Sequence, residues 1–574
     1  MLVIPVRGTG KFYNNKKKEF TMASGIKKSK APKKEKEVTL EQVLWNCRVA
    51  LRGFGSFEKN RDSVIGLAFL KFAGDKFEKR RKEIIAEYGD IPVFLEKPAF
   101  YNSQNVYYLP DHCRWSFIVK NAGDNDIAVK LDTAMKDIED ANPPLKGTLP
   151  QNNYASLGAD KNAIKSLIDE INKLDESRFH EEDLIGRVYE YFLQNFAASA
   201  SKEDGEFYTP ACCVKLISEL IEPYDGIVYD PCCGSGGMFV QSMKFVDQHK
   251  GNRKKVSVVG QESNPDTWRL AKMNLAIRGI SCDLGEKNAS TFTDDQHKDT
   301  IVQYIMANPP FNLKNWRGED ELVNDPRFKP YKPAMPPVAN ANYAWILHML
   351  SKLDVERGIA GFLLANGALN AGSGGDDEDD AGGAAQYQIR KKLLENDKIE
   401  AIIVLPRDMF YTTDISVTLW IMNNNKKARM LNGRQIRDRT GEVLFVDLRR
   451  WDENTEEYVI DKGKKKKKTV LTDSQIAAVK KIYNDWQSVE TVDSSTYAVP
   501  ELYRSVKIDE IGKKNYCLAP SKYIEFIDHD LDIDFNSEMA RIQSEMQNLM
   551  EQEQQSQKML VDAFEGIGYG IKKG

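Results

Sequence analysis

The sequence predicts an α/β fold: a doubly wound, mostly parallel sheet, preceded by a helical N-terminal domain and followed by a helical C-terminal tail. Three features of the apolar pattern predict it. Up to about residue 175 apolar residues recur at helical spacing; from about 184 short, near-continuous apolar runs alternate with helical stretches; and a lone heptad-like stripe closes the chain.

At 574 residues the chain exceeds a single core, so two or three domains are expected. With 41% hydrophobic residues and no uninterrupted apolar stretch of bilayer length, no membrane segment is predicted. No apolar signal core opens the sequence, and the eight cysteines lack regular spacing, which points to a reducing, cytoplasmic setting. Net charge is only −4, so any nucleic-acid contact must rest on local patches. Lysines crowd the first 37 residues, and a second run spans Lys464 to Lys468. Both read first as solvated tail or loop, with phosphate contact as the alternative.

Residues 1–37 are expected to be a disordered basic tail and 38–175 the helical domain. Thr39 and Gln42 form a capping-box pattern, with Val38 and Val43 as the staple, ahead of a helix carrying Leu44, Cys47 and Leu51. Val64, Ile65, Leu67, Phe69, Phe72 and Phe77 mark a second, strongly buried helix. The α/β domain is assigned to 176–505. It opens on an amphipathic helix with Leu184, Val188, Phe192 and Phe196, and continues with six strands: Ile227–Tyr229, Val256–Gly260, Ile301–Met306, Ile359–Ala365, Ile399–Leu405 and Val417–Met422. The acidic, glycine-flanked stretch Gly372–Gly383 is expected to be a mobile loop. In the tail, 506–574, Met539, Ile542, Met546, Leu549 and Leu560 fall on a stripe at alternating steps of three and four. It reads either as a docking face for another helix or as a helix packed on its own domain.

Three motifs carry chemistry. Asp230-Pro231-Cys232-Cys233-Gly234-Ser235-Gly236-Gly237 is a strand end, a glycine turn and a helix start, which lets backbone approach a ligand while Asp230 meets a cationic or donor group. The spacing is neither Gly-x-Gly-x-x-Gly nor Gly-Lys-Ser/Thr, so a dinucleotide fingerprint and a P-loop are both excluded. Glu262, at the end of the second strand, suits a ribose diol; its plainer reading is a surface carboxylate. Finally, Asn308-Pro309-Pro310-Phe311 directly follows the third strand. Its two prolines lock φ and remove donors, leaving a rigid turn rich in acceptors that suits an amino group. An amino group on an aromatic ring is a poor nucleophile, because its lone pair is delocalised. The Asn308 side-chain oxygen and the Pro309 carbonyl would draw its protons out of plane and localise that pair, and Phe311 offers a flat face to an extruded base.

In the order Gly205-Glu206-Phe207-Tyr208-Thr209-Pro210, Asp230–Gly237, Glu262, Asn308–Phe311, the chain resembles the γ arrangement of amino-methyltransferases. Further blocks, among them Leu44-Trp45, Phe69-Leu70-Lys71, Tyr189-Glu190-Tyr191 and Leu405-Pro406 with Met409-Phe410-Tyr411, resemble the modification subunit of type I restriction-modification systems over about 38–530. The resemblance implies a Rossmann-like, S-adenosylmethionine-dependent core that methylates adenine N6 in double-stranded DNA. It also implies a DNA specificity subunit, a second copy of the methyltransferase subunit and a restriction motor nuclease as partners. By the same resemblance Phe207, Tyr208, Thr209, Pro210, Asp230, Cys232, Gly234, Ser235, Gly236, Glu262 and Asn288 surround the cofactor, and Asn308, Pro309, Pro310 and Phe311 are catalytic. Cys232 departs from the Ala or Thr usual there. Adjacent Cys212-Cys213 and Cys232-Cys233 lack the Cys-x-x-Cys spacing of a zinc site, so no metal is expected. The rival readings are a ribosomal-RNA or protein-glutamine methyltransferase using a related Asn-Pro-Pro turn, and a non-catalytic DNA-binding scaffold.

Overall fold

The computed structural model describes residues 39–104, 106–175, 191, 209–372, 381–410, 416–449, 451, 455–461, 464–491, 493–527 and 534–566. The basic tail 1–37, the staple residue Val38, most of the expected helix at 184–196 and positions 373–380 of the acidic loop lie outside them.

The first helix, Leu40–Ala50, starts where Thr39 predicts, its Oγ1 accepting from the Gln42 amide at 3.3 Å. Only half of the capping box forms, because the Gln42 side chain donates forward to Asn46 Oδ1 instead. The second helix, Phe57–Tyr88, is longer than its apolar pattern suggested. Its middle, from Val64 to Ala73, is buried throughout, Lys71 included, and is packed notably by helix Lys161–Ile171.

The α/β domain is built on one ten-stranded sheet. Its strands are β1 (Gly226–Asp230), β2 (Val256–Gly260), β3 (Cys282–Asp283), β4 (Tyr304–Ala307), β5 (Ile359–Ala365), β6 (Ile399–Val404), β7 (Val417–Asn423), and then β10 (Glu442–Asp447), β13 (Ala498–Val499) and β14 (Tyr503–Lys507); the two hairpins β8 (Arg429–Leu431) with β9 (Arg434–Ile436) and β11 (Thr455–Asp461) with β12 (Lys464–Val470) stand apart. The order across the sheet is β13-β14-β10-β6-β7-β5-β4-β1-β2-β3. From β5 to β3 neighbours run parallel; β7 lies antiparallel between β5 and β6, and β14 and β13 add antiparallel pairs at the far edge.

Alternation along each strand divides the interior into two cores. Val228, Tyr304, Met306, Ala401, Leu419 and Ile421 face the helices Ala211–Ile221, Gly237–Gln248 and Asp473–Gln487. Tyr229, Ile305, Ile402, Trp420 and Met422 face Asn342–Lys352 and Ala381–Glu395. Connections leave β1 and β4 toward opposite faces, so the crest between them is the switch point where such folds hold ligands.

Several expectations are corrected. The third strand begins at Tyr304 rather than Ile301, which is exposed; Val302 makes only an isolated bridge to Leu353, and Gln303 turns its side chain to accept from the Ile227 amide. The fifth strand ends at Val404, one residue early, and the last runs on to Asn423. Lys464–Lys468 is not a loop but part of β12, paired with β11. The end of the acidic stretch, 381–383, belongs to a helix. The boundary expected at 505/506 falls inside β14, and Ile511, Leu518, Tyr523 and Ile524 complete the second core.

Among the described residues no helix is long and apolar enough to cross a membrane, and no group of histidine, cysteine and acidic side chains could hold a metal. The helix Phe535–Gly566 buries no residue against the rest of the described chain, so the reading in which its stripe packs on its own domain is not what the fold does.

Candidate active site

β1 and β2 end in register, Asp230 opposite Gly260, and the chain turns over their ends. Asp230 is buried, and its Oδ1 accepts from the Cys232 amide at 3.0 Å. Gly234 (φ 53°) and Gly236 (φ 80°) take left-handed conformations that a side chain resists, which closes the turn tightly enough for the Gly236 amide to reach the Cys233 carbonyl at 2.8 Å. A Cβ at Gly234 would meet nothing within 4 Å: it would project into open space. Helix Gly237–Gln248 starts here with no side-chain cap, so its first amides remain available.

The rim carboxylate Glu262 is anchored rather than loose. Its Oε2 accepts from the Gly234 amide at 3.0 Å and its Oε1 from the Asn264 amide at 2.9 Å, tying β2 to the glycine turn. Asn288 lies beside it, donating to the Ser263 carbonyl at 2.8 Å, while the Ala289 amide reaches the Glu262 carbonyl.

Asn308 follows β4 immediately. Its Nδ2 donates to Thr209 Oγ1 at 2.9 Å, and its Oδ1 is buried with no hydrogen-bond partner among the described residues. Thr209, Asp230, Cys232, Gly234, Ser235 and Asn308 line one cleft. Pro210 is buried as the residue before helix Ala211–Ile221. Pro309 is buried and Pro310 half-buried. Half-buried Phe311 meets Phe410 edge to face, with centroids 6.1 Å apart. Glu262, Asn288 and Gly236 shape the surroundings of the cleft without lining it, and Phe207 and Tyr208 lie outside the described residues.

Burial pushes the Asp230 carboxyl up from 3.8 to about 7; the Cys232 amide and thiol pull the other way, and the nearby Glu262 charge adds to the rise. A carboxyl this starved of solvent fits a ligand that brings a cation to it, and the open space over Gly234 leaves backbone for that ligand to approach. Both features fit S-adenosylmethionine.

Sequence reasoning missed the side chains that hold this geometry. Asn312 (φ 54°) ends the tetrapeptide turn, its amide donating to Asn342 Oδ1 and its Oδ1 accepting from Asn342 Nδ2 at 2.8 Å. An asparagine right after Asn-Pro-Pro-Phe was the available signal. Arg327 donates to the Thr291 and Phe292 carbonyls, pairs with Asp325 and reaches His348, whose other nitrogen meets Tyr229 Oη at 3.0 Å. Lys244 and Arg278 also line the cleft. Helix Pro265–Ile277 serves both domains: Asn274 donates to the Ser235 carbonyl and Leu275 packs under Gly236, while Leu270, Met273 and Ile277 join the core of the helical domain.

The N-6 DNA Methylase family model matches residues 180–531, and the HsdM N-terminal domain model matches residues 40–171. The chain is 31% identical over 547 residues to the type I restriction enzyme MjaIX methylase subunit of Methanocaldococcus jannaschii, covering 92% of this chain and 91% of that protein. It is 34% identical over 453 residues to the HindI methylase subunit of Haemophilus influenzae, covering 77% and 93%. In fold it is similar to the type I restriction-modification system methyltransferase subunit from Streptococcus thermophilus, with a TM-score of 0.66 at 22% identity over 84% of this chain and 98% of that one. Matched by that model over more than half its length, and by a relative across nearly all of it, the chain belongs to the N-6 DNA methylases as a type I restriction enzyme methylase subunit, a DNA methyltransferase whose methyl donor is S-adenosylmethionine.

Proposed function

We propose that the protein methylates the exocyclic N6 of adenine in double-stranded DNA, as the modification subunit of a complex with a DNA specificity subunit, a second copy of itself and a restriction motor subunit. The observation that carries the adenine reading is the unsatisfied Asn308 Oδ1 in the cleft it shares with Asp230. A buried acceptor left empty is costly, and a donor such as an amino N–H relieves the cost. S-adenosylmethionine, when bound, would supply a methyl group on a sulfonium, the C–S pair staying with sulfur as the amino lone pair forms the N–C bond. Asn308 Oδ1 and the Pro309 carbonyl would each accept a hydrogen bond from one N6–H, drawing the lone pair out of the ring plane, and of the two N6 protons one would be lost to solvent on methylation. Phe311 stacks on the extruded base, its ring steadied by Phe410. Asp230 would hold the cationic end of the cofactor, with the glycine turn, Glu262 and Asn288 as the groups that would surround the rest.

The uncovered apolar residues Met539, Ile542, Met546 and Leu549 support helix Phe535–Gly566 as the docking element for a partner helix. Labelled methyl groups offered to the assembled complex with DNA, ribosomal RNA or release-factor protein should enter DNA alone; entry into RNA or protein instead refutes the reading.

Asp230 makes cofactor binding pH-dependent. Its carboxyl, raised from 3.8 to about 7, is neutral below about 7, and in the cofactor-free protein it contributes stability that is fully present below 3.8 and lost as pH rises from there through about 7. A cationic ligand binds the ionised form, so affinity should tighten on the order of tenfold between about pH 6 and about pH 7.5. Calorimetric titration of the wild type and Asp230→Asn checks this. The variant should bind weakly with a flat profile over the same range, and an unchanged slope in the variant would assign the titration elsewhere.

A further inference from the structure

We propose that the helical N-terminal domain takes part in cofactor binding without lining the cofactor cleft: it seats helix Pro265–Ile277, from which Asn274 acts as a positioning residue for the glycine turn. The inference rests on the reading of the turn Asp230–Gly237 as the place where S-adenosylmethionine is held.

Ser235 sits between Gly234 and Gly236, both in left-handed conformations. The peptide plane joining Ser235 to Gly236 thus ends on a residue that accepts φ of either sign and offers little resistance to a flip of that plane. Two hydrogen bonds hold it instead. Its amide, on Gly236, donates to the Cys233 carbonyl at 2.8 Å, and its carbonyl, on Ser235, accepts from Asn274 Nδ2 at 2.6 Å. The orientation of the Asn274 amide is fixed by its partners. A carbonyl only accepts and a guanidinium only donates, and Asn274 turns Nδ2 to the Ser235 carbonyl and Oδ1 to the Arg278 guanidinium. Asn274 is buried, and the neighbouring Leu275 packs under Gly236, so this helix grips the turn through both polar and apolar contacts. The uncapped amides that open helix Gly237–Gln248 come directly after this plane, and their direction follows from it.

The same helix is held from the other domain. Leu270, Met273 and Ile277 are buried in the core of the helical domain. Tyr107 donates to the Ala276 carbonyl and Lys76 to the Ile277 carbonyl, each at 3.2 Å, at the end where the helix runs out of its own donors. Among the described residues, none of those lining the cleft comes from 39–175. The helical domain therefore reaches the cofactor site through this helix, whose segment 270–277 carries both the interface and the grip on the turn.

Two variants, each in the complete methyltransferase complex, test this. Asn274→Leu nearly keeps the size of the side chain and removes the donor to Ser235; the cofactor Kd should rise about tenfold, the worth of one hydrogen bond. Met273→Ala with Tyr107→Phe loosens the seating from the side away from the cleft, and Kd should rise about fivefold, the lower end of coupling between distinct sites. Because Asn274 also lines the cleft, a readout without cofactor accompanies these: amide hydrogen exchange of segment 231–240, followed by mass spectrometry, should quicken in both variants while that of β5 does not. If Asn274→Leu does not fold, Asn274→Ala removes the same donor without bulk and is read in its place. A weaker Kd in Asn274→Leu with exchange of 231–240 at the wild-type rate overturns the proposal, leaving Asn274 a cofactor contact only. Wild-type Kd and exchange in the interface variant also overturn it. Asp230→Asn separates the two levels: if that variant binds cofactor as tightly as wild type, the reading of the turn fails, whereas weak binding by Asp230→Asn beside wild-type binding by Asn274→Leu removes only this inference.

Discussion

Asn308→Ala is expected to lower the rate of methyl transfer by on the order of 10²–10³-fold, comparable to removing one preorganised group that acts on developing charge. Cofactor affinity should stay within about threefold of wild type, since the contact proposed for the cationic end of the cofactor is Asp230 and not Asn308. Alanine removes the Oδ1 acceptor and the bond to Thr209 together, yet it disturbs little else. Asn308 lies beyond the last residue of β4, the prolines that follow keep their own φ, and Asn312 stays clamped by Asn342. Single-turnover transfer of labelled methyl groups, read beside calorimetric cofactor titration, separates chemistry from binding. A rate within about threefold of wild type would make the tetrapeptide a structural turn and the chain a scaffold in this respect.

The largest expected effect on stability lies away from the cleft. Glu400 on β6 and Arg439 before β10 are both fully buried, with Arg439 Nε 3.1 Å from Glu400 Oε1. Gln487 donates to the same oxygen at 3.0 Å, Asn423 donates to the other, and the guanidinium lies over the Trp486 ring. Burial pushes the Glu400 carboxyl up, but Arg439, Lys426, Gln487 and Asn423 outweigh it and hold the group ionised. Its pKa is thus depressed, so its share of stability is present above the ordinary carboxylate range and lost as pH falls. Arg439→Met leaves that charge buried without its main partner and should cost about 3–5 kcal/mol. Replacing both, Glu400→Leu with Arg439→Met, should recover most of the loss, because the penalty comes from the orphaned charge rather than from the missing pair. Urea denaturation midpoints measure both. A loss under about 1 kcal/mol in the single variant, or no recovery in the double, contradicts the assignment.

Much of this architecture is legible in the residues because parallel strands buried on both faces write themselves as continuous apolar runs. Each of the six predicted runs coincides with or overlaps a strand of the sheet. β10 carries a run of the same kind, Val443–Val446, and was overlooked; β14 was not legible, since Tyr503 and Arg504 precede a single buried pair, Ser505 and Val506. Strand ends were less certain because side chains set them: Gln303 takes over the Ile227 amide where a longer β4 would have paired. In the cleft, Asp230 and Asn308 are legible because one ends β1 and the other directly follows β4, positions at the crest that the pattern of runs predicts. Glu262 is legible at the end of the second strand, where it borders the cleft without lining it, but its bond to the Gly234 amide is not. The Thr209–Asn308 bond and the Arg327 network were hidden for the same reason: they join segments far apart in sequence, and no local pattern records which polar side chains will meet.

On the proposed reading, the Asn308 acceptor with no partner among the described residues receives the N6 amino group of adenine in DNA. Nucleoside mass spectrometry of DNA treated with the assembled complex and S-adenosylmethionine tests it most directly. The expected product is N6-methyladenine, absent from DNA treated with the Asn308→Ala complex. N4-methylcytosine in its place, N6-methyladenine formed equally well by the variant, or no methylated base in DNA would contradict it.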